Sequence, residues 1–112
     1  MVKVLIVEDH DLARMGLEGI LSKNSDIEIL GACADGGDGI DMALKLKPNV
    51  VLMDIGLPTV DGIEATHKIK SVNPEIKVLM YTSREGDDDI FDSDFLKDVS
   101  HNSVTSYEYT CE

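Results

Sequence analysis

The sequence predicts an α/β fold in which helices cover both faces of a parallel β-sheet. Two observations support this fold class. Short, nearly all-apolar runs recur as far as Tyr81, and segments whose apolar residues follow a helical spacing separate them. Strands that alternate with helices form βα units, and such strands are continuously apolar because both faces of the sheet are buried.

The first unit begins with the valine-rich run from Val2 to Val7, which fits a strand buried on both faces. Asp11 can cap the helix that follows, because its carboxylate can accept hydrogen bonds from the first turn. Apolar residues and a glycine then recur at helical spacing, which predicts the helix; they are Leu12, Met15, Gly19 and Ile20.

The second unit begins with a strand predicted from Ile27 to Ala32. The glycine-rich stretch Gly36-Gly37-Asp38-Gly39 follows it and predicts a turn, since it lacks the spacing of a dinucleotide-binding loop. A second helix comes next and ends before Pro48. Its predicted apolar face consists of Ile40, Ala43 and Leu44.

The third and fourth strands are predicted at Val50 to Met53 and at Val78 to Tyr81. Between them, Gly62 to Lys70 is expected to form a helix whose residues Ile63 and Ile69 face the core. The regular alternation of strands and helices ends with this fourth strand.

Size and composition exclude several classes of protein. The chain has 112 residues, enough for one small domain, and a formal net charge of -12. This charge argues against direct binding to nucleic acid, and no apolar run approaches the roughly 20 residues of a membrane span. The acids after the first apolar run argue against a signal peptide. Cys33 and Cys111 fit neither a disulfide framework nor a zinc motif, so we expect a reduced, cytoplasmic setting.

Polar residues follow three of the predicted strands. Glu8 and Asp9 follow the first strand, Asp54 follows the third and Thr82 follows the fourth. Ligands of open parallel sheets bind at the carboxyl ends of the strands, so these residues should meet at one edge. Crowded carboxylates repel one another unless a cation neutralises them, and Mg²⁺ prefers such oxygen ligands. The backbone carbonyl of Gly56 could supply a further oxygen.

This arrangement predicts phosphoryl chemistry. A metal-held carboxylate can attack a phosphoryl group and form an aspartyl phosphate, so Asp54 is the candidate phosphoacceptor. Asp9 and Asp54 are expected to bind the ion directly, and Glu8 directly or through water. The hydroxyl of Thr82 can donate to one phosphoryl oxygen, and Lys97 is the candidate to pair with another.

Each of these residues also has a simpler interpretation. A single Asp after a strand is more often a cap or turn residue, and Glu8-Asp9 or Thr82 alone indicates little. Only the joint placement at three strand ends favours chemistry. His10 is expected to be a loop residue beside the acids rather than a metal ligand, and His67 and His101 are expected on the surface.

Four blocks of the sequence resemble bacterial response-regulator receiver domains. They run from Val4 to His10, from Val51 to Pro58, from Asp61 to Glu64 and from Val78 to Ser83. The first block, with its continuation from Arg14 to Leu17, is most similar to receivers of regulators that carry a helix-turn-helix DNA-binding domain. The resemblance covers about residues 2 to 91.

The resemblance implies a flavodoxin-like, doubly wound fold of five strands in the order 2-1-3-4-5. It also implies a histidine kinase as the phosphodonor and Mg²⁺ as the cofactor. By motif, Asp54 is the phosphoacceptor, Glu8 and Asp9 are the acidic pair, and Thr82 is the switch hydroxyl.

The sequence departs from the family after Thr82. The segment from Phe95 to Ser100, with Lys97, resembles the fifth strand but arrives early, which implies a shortened or altered region of the fourth helix, fifth strand and fifth helix. We therefore expect a receiver domain over residues 1–100 and a polar tail over 101–112. An incompletely covered sheet edge would favour either a homodimer or an exchanged segment, or a locally disordered end.

Two other functions stay open at this point. One is a small phosphatase or phosphotransferase that works through an aspartyl phosphate, although such enzymes would be expected to carry a second acid where this sequence has Gly56. The other is a receiver that only binds partners, because the altered C-terminal part damages its switch.

Overall fold

The computed structural model describes residues 1–54, 62–81 and 108–109, with side chains described as far as residue 80. Its parallel sheet has the order β2-β1-β3-β4-β5. The strands are β1 (Val2–Val7), β2 (Ile27–Cys33), β3 (Val50–Asp54), β4 (Lys77–Tyr81) and β5 (Glu108–Tyr109). The helices are α1 (Asp11–Ser22), α2 (Gly36–Leu46) and α3 (Gly62–Val72).

The order of the first four strands confirms the predicted flavodoxin-like fold. β1 pairs with β2 on one side and with β3 on the other, and β3 pairs with β4, always in parallel. The strand that pairs with β4 on its other side is Glu108–Tyr109, further along the chain than the predicted segment from Phe95 to Ser100. That predicted segment lies outside the described residues, and the domain boundary at residue 100 stays a prediction.

Two apolar layers lie on opposite faces of the sheet, because successive side chains of a strand point to opposite sides. On one face, Val4 and Ile6 of β1 pack in a cluster with Leu17 and Leu21 of α1. On the other face, the cluster consists of Leu5, Val7, Ala43, Val51, Met53, Ala65, Ile69, Ile76 and Val78. α1 therefore covers one face and α2 and α3 cover the other, as the near-continuous apolar strands predicted.

The helix predicted after β1 is confirmed, but the apolar residues that revealed its spacing do not form its buried face. The fully buried residues of this helix are Leu17 and Leu21, whereas Leu12 is 85% exposed and Met15 is 65% exposed. With 3.6 residues per turn, Leu12 and Met15 lie roughly opposite Leu17 on the helix. Apolar residues lie on more than one side of α1, so the sequence alone does not show which side packs against the sheet.

Two helix starts also differ from the prediction. The N-cap of α1 is His10, so Asp11 lies inside the first turn and does not cap it. α2 begins at Gly36, so the predicted glycine turn is the first turn of the helix. In α3, Ile69 is buried as predicted, but Ile63 is largely exposed.

Gly39 of α2 lies against β1 with no room for a side chain. A Cβ atom at this position would lie 2.8 Å from Cγ2 and 3.1 Å from Cγ1 of Val7. Val7 is fully buried and its branched side chain has little rotamer freedom. The glycine therefore sets how closely α2 approaches the sheet. Within the described ranges, no helix is long and apolar enough to cross a membrane.

We predict that Gly39→Ala lowers the free energy of unfolding by about 1–3 kcal/mol, because the added methyl group overpacks the contact with Val7. The matched control is Gly19→Ala on α1, where a Cβ atom would meet nothing within 4 Å. That change should raise the stability by about 0.5–1 kcal/mol, since alanine favours a helix more than glycine does. Urea unfolding with a constant m-value measures both, and a stabilising Gly39→Ala would refute the close approach.

Candidate metal and phosphoacceptor site

The carboxyl ends of β1 and β3 bring three carboxylates together. Val7 pairs with Met53, so Glu8 and Asp54, the next residues along each strand, lie side by side. Asp9 follows Glu8 at the same edge. Glu8, Asp9, His10 and Asp54 can each offer one ligand atom such that these atoms all lie within 4.8 Å of one another. The structure thus brings together the three acids that the sequence placed at this edge.

Two of these carboxylates are buried. Glu8 is fully buried and Asp54 is only 3% exposed, whereas the side chain of Asp9 is 26% exposed. Burying a charged group is unfavourable unless hydrogen bonds or an opposite charge compensate for it. Oε2 of Glu8 accepts a hydrogen bond of 3.0 Å from the backbone N–H of His10. This bond is local and follows from the turn between β1 and α1.

Asp9 has a buried oxygen that suits a cation. Its Oδ1 atom is buried and has no hydrogen-bond donor within the part of the chain that the structure describes. Carboxylate oxygens at one edge, one of them without a donor, match the hard oxygen ligands that Mg²⁺ binds. Glu8, Asp9 and Asp54 would hold the ion, and Gly56, the fourth predicted donor, lies outside the described residues.

His10 lies closer to the acids than a simple loop residue would. It is the N-cap of α1, and its Nδ1 atom lies 3.2 Å from Oε2 of Glu8 and 3.3 Å from Oδ1 of Asp9. The hydrogen bond with Glu8 and the nearby charge of Asp9 raise the pKa of the His10 imidazole. The charge of Asp54 acts in the same direction. The three carboxylates therefore favour the protonated form of the ring.

Sequence reasoning missed Arg14, which ties α1 to the acidic edge. Its Nη1 atom donates a hydrogen bond of 2.9 Å to the backbone carbonyl of Glu8. Its Nη2 atom donates to Oδ1 of Asp11 at 2.6 Å. A cation in the first helical turn after an acidic pair is the signal that could have indicated this contact. Arg14 fixes the backbone at the point where β1 ends.

The other predicted site residues lie outside the described residues. They are Gly56, Thr82 and Lys97; His101, which was expected on the surface, and Cys111 also lie outside these residues. His67 is exposed on α3, as expected. Cys33 is free and partly buried, and burial raises the pKa of its thiol to about 11. Such a thiol is a poor nucleophile at neutral pH.

The chain matches one known protein family over most of its length. The family model of the response regulator receiver domain matches residues 4–93. The response regulator protein VraR of Staphylococcus aureus is 42% identical over 110 residues, which covers 92% of this chain and 53% of that protein. VraR of Staphylococcus saprophyticus is 39% identical over the same shares of the two chains. This chain therefore spans about half the length of these curated relatives.

Solved structures show the same architecture. The response regulator domain of Thermotoga maritima CheB superposes with a TM-score of 0.74 at 28% sequence identity. The match covers 98% of this chain and 78% of that one. The parallel sheet of β1 to β4 and its helices are thus shared with a receiver of known structure.

We predict that Arg14→Met lowers the free energy of unfolding by about 1–2 kcal/mol, because the carbonyl of Glu8 loses a charged donor. The control is Asp11→Asn, which keeps the bond from Arg14 to Glu8 and weakens only an exposed ion pair. That change should cost less than about 1 kcal/mol. Thermal unfolding of both variants measures the difference, and equal losses would show that the bond to Glu8 contributes nothing.

Proposed function

The chain belongs to the response regulator receiver domain family of two-component signalling systems, and we propose that it accepts a phosphoryl group on Asp54 in a magnesium-dependent reaction. The observation that supports this most strongly is the position of Asp54. It ends β3 beside Glu8 and Asp9, with ligand atoms of the three acids within 4.8 Å of one another.

Asp54 would act as the nucleophile. One of its carboxylate oxygens forms a new bond to phosphorus while the bond from phosphorus to the nitrogen of the kinase histidine breaks. The histidine leaves with the electron pair of the broken bond and takes up a proton. β3 fixes the backbone of Asp54, since this strand lies between β1 and β4 and pairs with both. The nucleophile thus sits on a rigid element.

The acidic pair would prepare the site for a dianionic group. Mg²⁺, when bound, would offset the charge of the phosphoryl oxygens that approach Asp54. Asp9 and Asp54 would be direct ligands, and Glu8 would bind directly or through water. The backbone carbonyl of Gly56, the hydroxyl of Thr82 and the ammonium of Lys97 complete this proposal from sequence.

The partners follow from the family. Response regulators receive their phosphoryl group from histidine kinases, so we propose such a kinase as the donor. The proposal describes a signalling domain that catalyses its own phosphorylation and dephosphorylation and so switches an output surface by adding charge. A homodimer or an exchange of C-terminal segments remains part of it. The cytoplasmic location and the lack of direct nucleic-acid binding stay predictions.

Phosphorylation should occur on Asp54. Incubation with an acyl phosphate and Mg²⁺ should add the mass of one phosphoryl group, and Asp54→Asn should not gain it, because the amide lacks the nucleophilic oxygen. Asp41→Asn changes an exposed acid of α2 and should be labelled like the unmodified chain. Intact-protein mass spectrometry gives the readout. Full labelling of the Asp54 variant would refute the assignment.

Binding of Mg²⁺ should depend on Asp9. Its removal takes away a direct ligand whose Oδ1 atom has no hydrogen-bond donor among the described residues, so Asp9→Ala should weaken Mg²⁺ binding by about tenfold or more. Asp41→Ala removes the same charge from an exposed position and should change the affinity little. Calorimetric titration compares them. An unchanged affinity in Asp9→Ala would place any bound ion elsewhere.

A further inference from the structure

His10 adds a nitrogen to a cluster that is otherwise built from oxygen. Its ring is 67% exposed, yet Nδ1 lies 3.2 Å from Oε2 of Glu8 and 3.3 Å from Oδ1 of Asp9. The reaction proposed for Asp54 gives this ring no role. Three carboxylates and one imidazole form a mixed ligand set, and such a set prefers different ions from a set of oxygens alone.

The two distances match the spacing of ligands around one ion. Atoms that each bind a transition ion at ~2.1 Å lie about 3.0 Å apart in an octahedral site and about 3.4 Å apart in a tetrahedral one. The separations of 3.2 and 3.3 Å fall between these values. In the structure Nδ1 and Oε2 of Glu8 share a hydrogen bond, so an ion that contacts Nδ1 together with both oxygens would take the place of the proton on Nδ1.

The oxygen of Asp9 supports the same interpretation. Oδ1 is buried and has no hydrogen-bond donor within the described ranges, although Nδ1 of His10 lies nearby. The ring nitrogen lies close to that oxygen but makes no hydrogen bond to it. A cation between the two atoms would satisfy the oxygen and the ring together.

The ring nitrogen changes which cations the cluster prefers. Mg²⁺ binds oxygen ligands and retains several waters, so an imidazole adds little to its affinity. Co²⁺, Ni²⁺ and Zn²⁺ bind imidazole well, and they bind mixed nitrogen and oxygen sites more tightly than the earlier first-row ions do. His10 would thus act on one class of ion and not on the other.

We propose that His10 is a metal ligand that gives the acidic cluster a specific affinity for divalent transition ions, which compete there with Mg²⁺. The inference rests on the magnesium site of the proposed function and adds a ligand to it. A transition ion held by Glu8, Asp9, Asp54 and His10 would occupy the position that Mg²⁺ needs during phosphorylation.

Variants of His10 can test this, and both of them remove the 3.2 Å hydrogen bond between Nδ1 and Oε2 of Glu8. The side chain makes no capping hydrogen bond to α1, and the bond to Glu8 from the backbone N–H of His10 does not depend on the ring. His10→Ala removes the ligand, and His10→Gln keeps a polar side chain without the imidazole. The matched control is His67→Ala, which removes an exposed imidazole from α3.

The experiment is a calorimetric titration of the full chain with Co²⁺ and with Mg²⁺ at one fixed pH. Both His10 variants should lose Co²⁺ affinity by about tenfold or more, while their Mg²⁺ affinity stays within about twofold. His67→Ala should match the unmodified chain for both ions. Paramagnetic shifts of the His10 ring signals on addition of Co²⁺ to the unmodified chain should report the contact without any substitution.

Three outcomes would overturn the inference. They are Co²⁺ affinity that survives the loss of His10, an equal loss for Co²⁺ and Mg²⁺, and an equal loss in His67→Ala. In each of these cases a normal Mg²⁺ affinity of the unmodified chain leaves the proposed function intact. If the unmodified chain binds neither ion, the magnesium part of the proposed function fails as well.

Discussion

The repulsion among three carboxylates at the ends of two buried strands is the constraint on which the rest of this structure depends. β1 and β3 are paired through Val7 and Met53, so Glu8 and Asp54 cannot move apart without breaking backbone hydrogen bonds inside the sheet. Relief has to come from positive charge and from donors placed around the acids. His10 and a divalent cation are suited to provide it.

The helices provide the surroundings that this constraint requires. α1 carries His10 at its N-cap and Arg14 in its first turn, so one helix start brings both side chains to the end of β1. On the opposite face, Gly39 lets α2 approach the side chain of Val7 in β1 closely. The position of the acids is therefore set by packing on both faces of the sheet and by hydrogen bonds to the turn after β1.

This arrangement makes a signalling role physically reasonable. In the proposed function, the acidic edge would accept a phosphoryl group with a cation bound, and the added charge would then change the electrostatic balance at the strand ends. The ligand atoms of this edge also decide which cation it binds. A ligand set of pure oxygen and one that includes the ring of His10 would respond to different ions, although three of the four residues are the same.

The sequence by itself determined the fold class and the acids at the strand ends, because continuous apolar runs and strand-end positions are local patterns that any parallel sheet must obey. The order of β1 to β4 was implied only by the resemblance to receiver domains. The resemblance in its motifs then indicated the family. Helix faces were less certain, as Leu12 and Met15 show, because apolar residues lie on more than one side of α1. Only the tertiary structure decided that His10 and Arg14 reach the acidic edge. Their contacts depend on the angle at which the chain turns from β1 into α1, and no spacing rule specifies that angle.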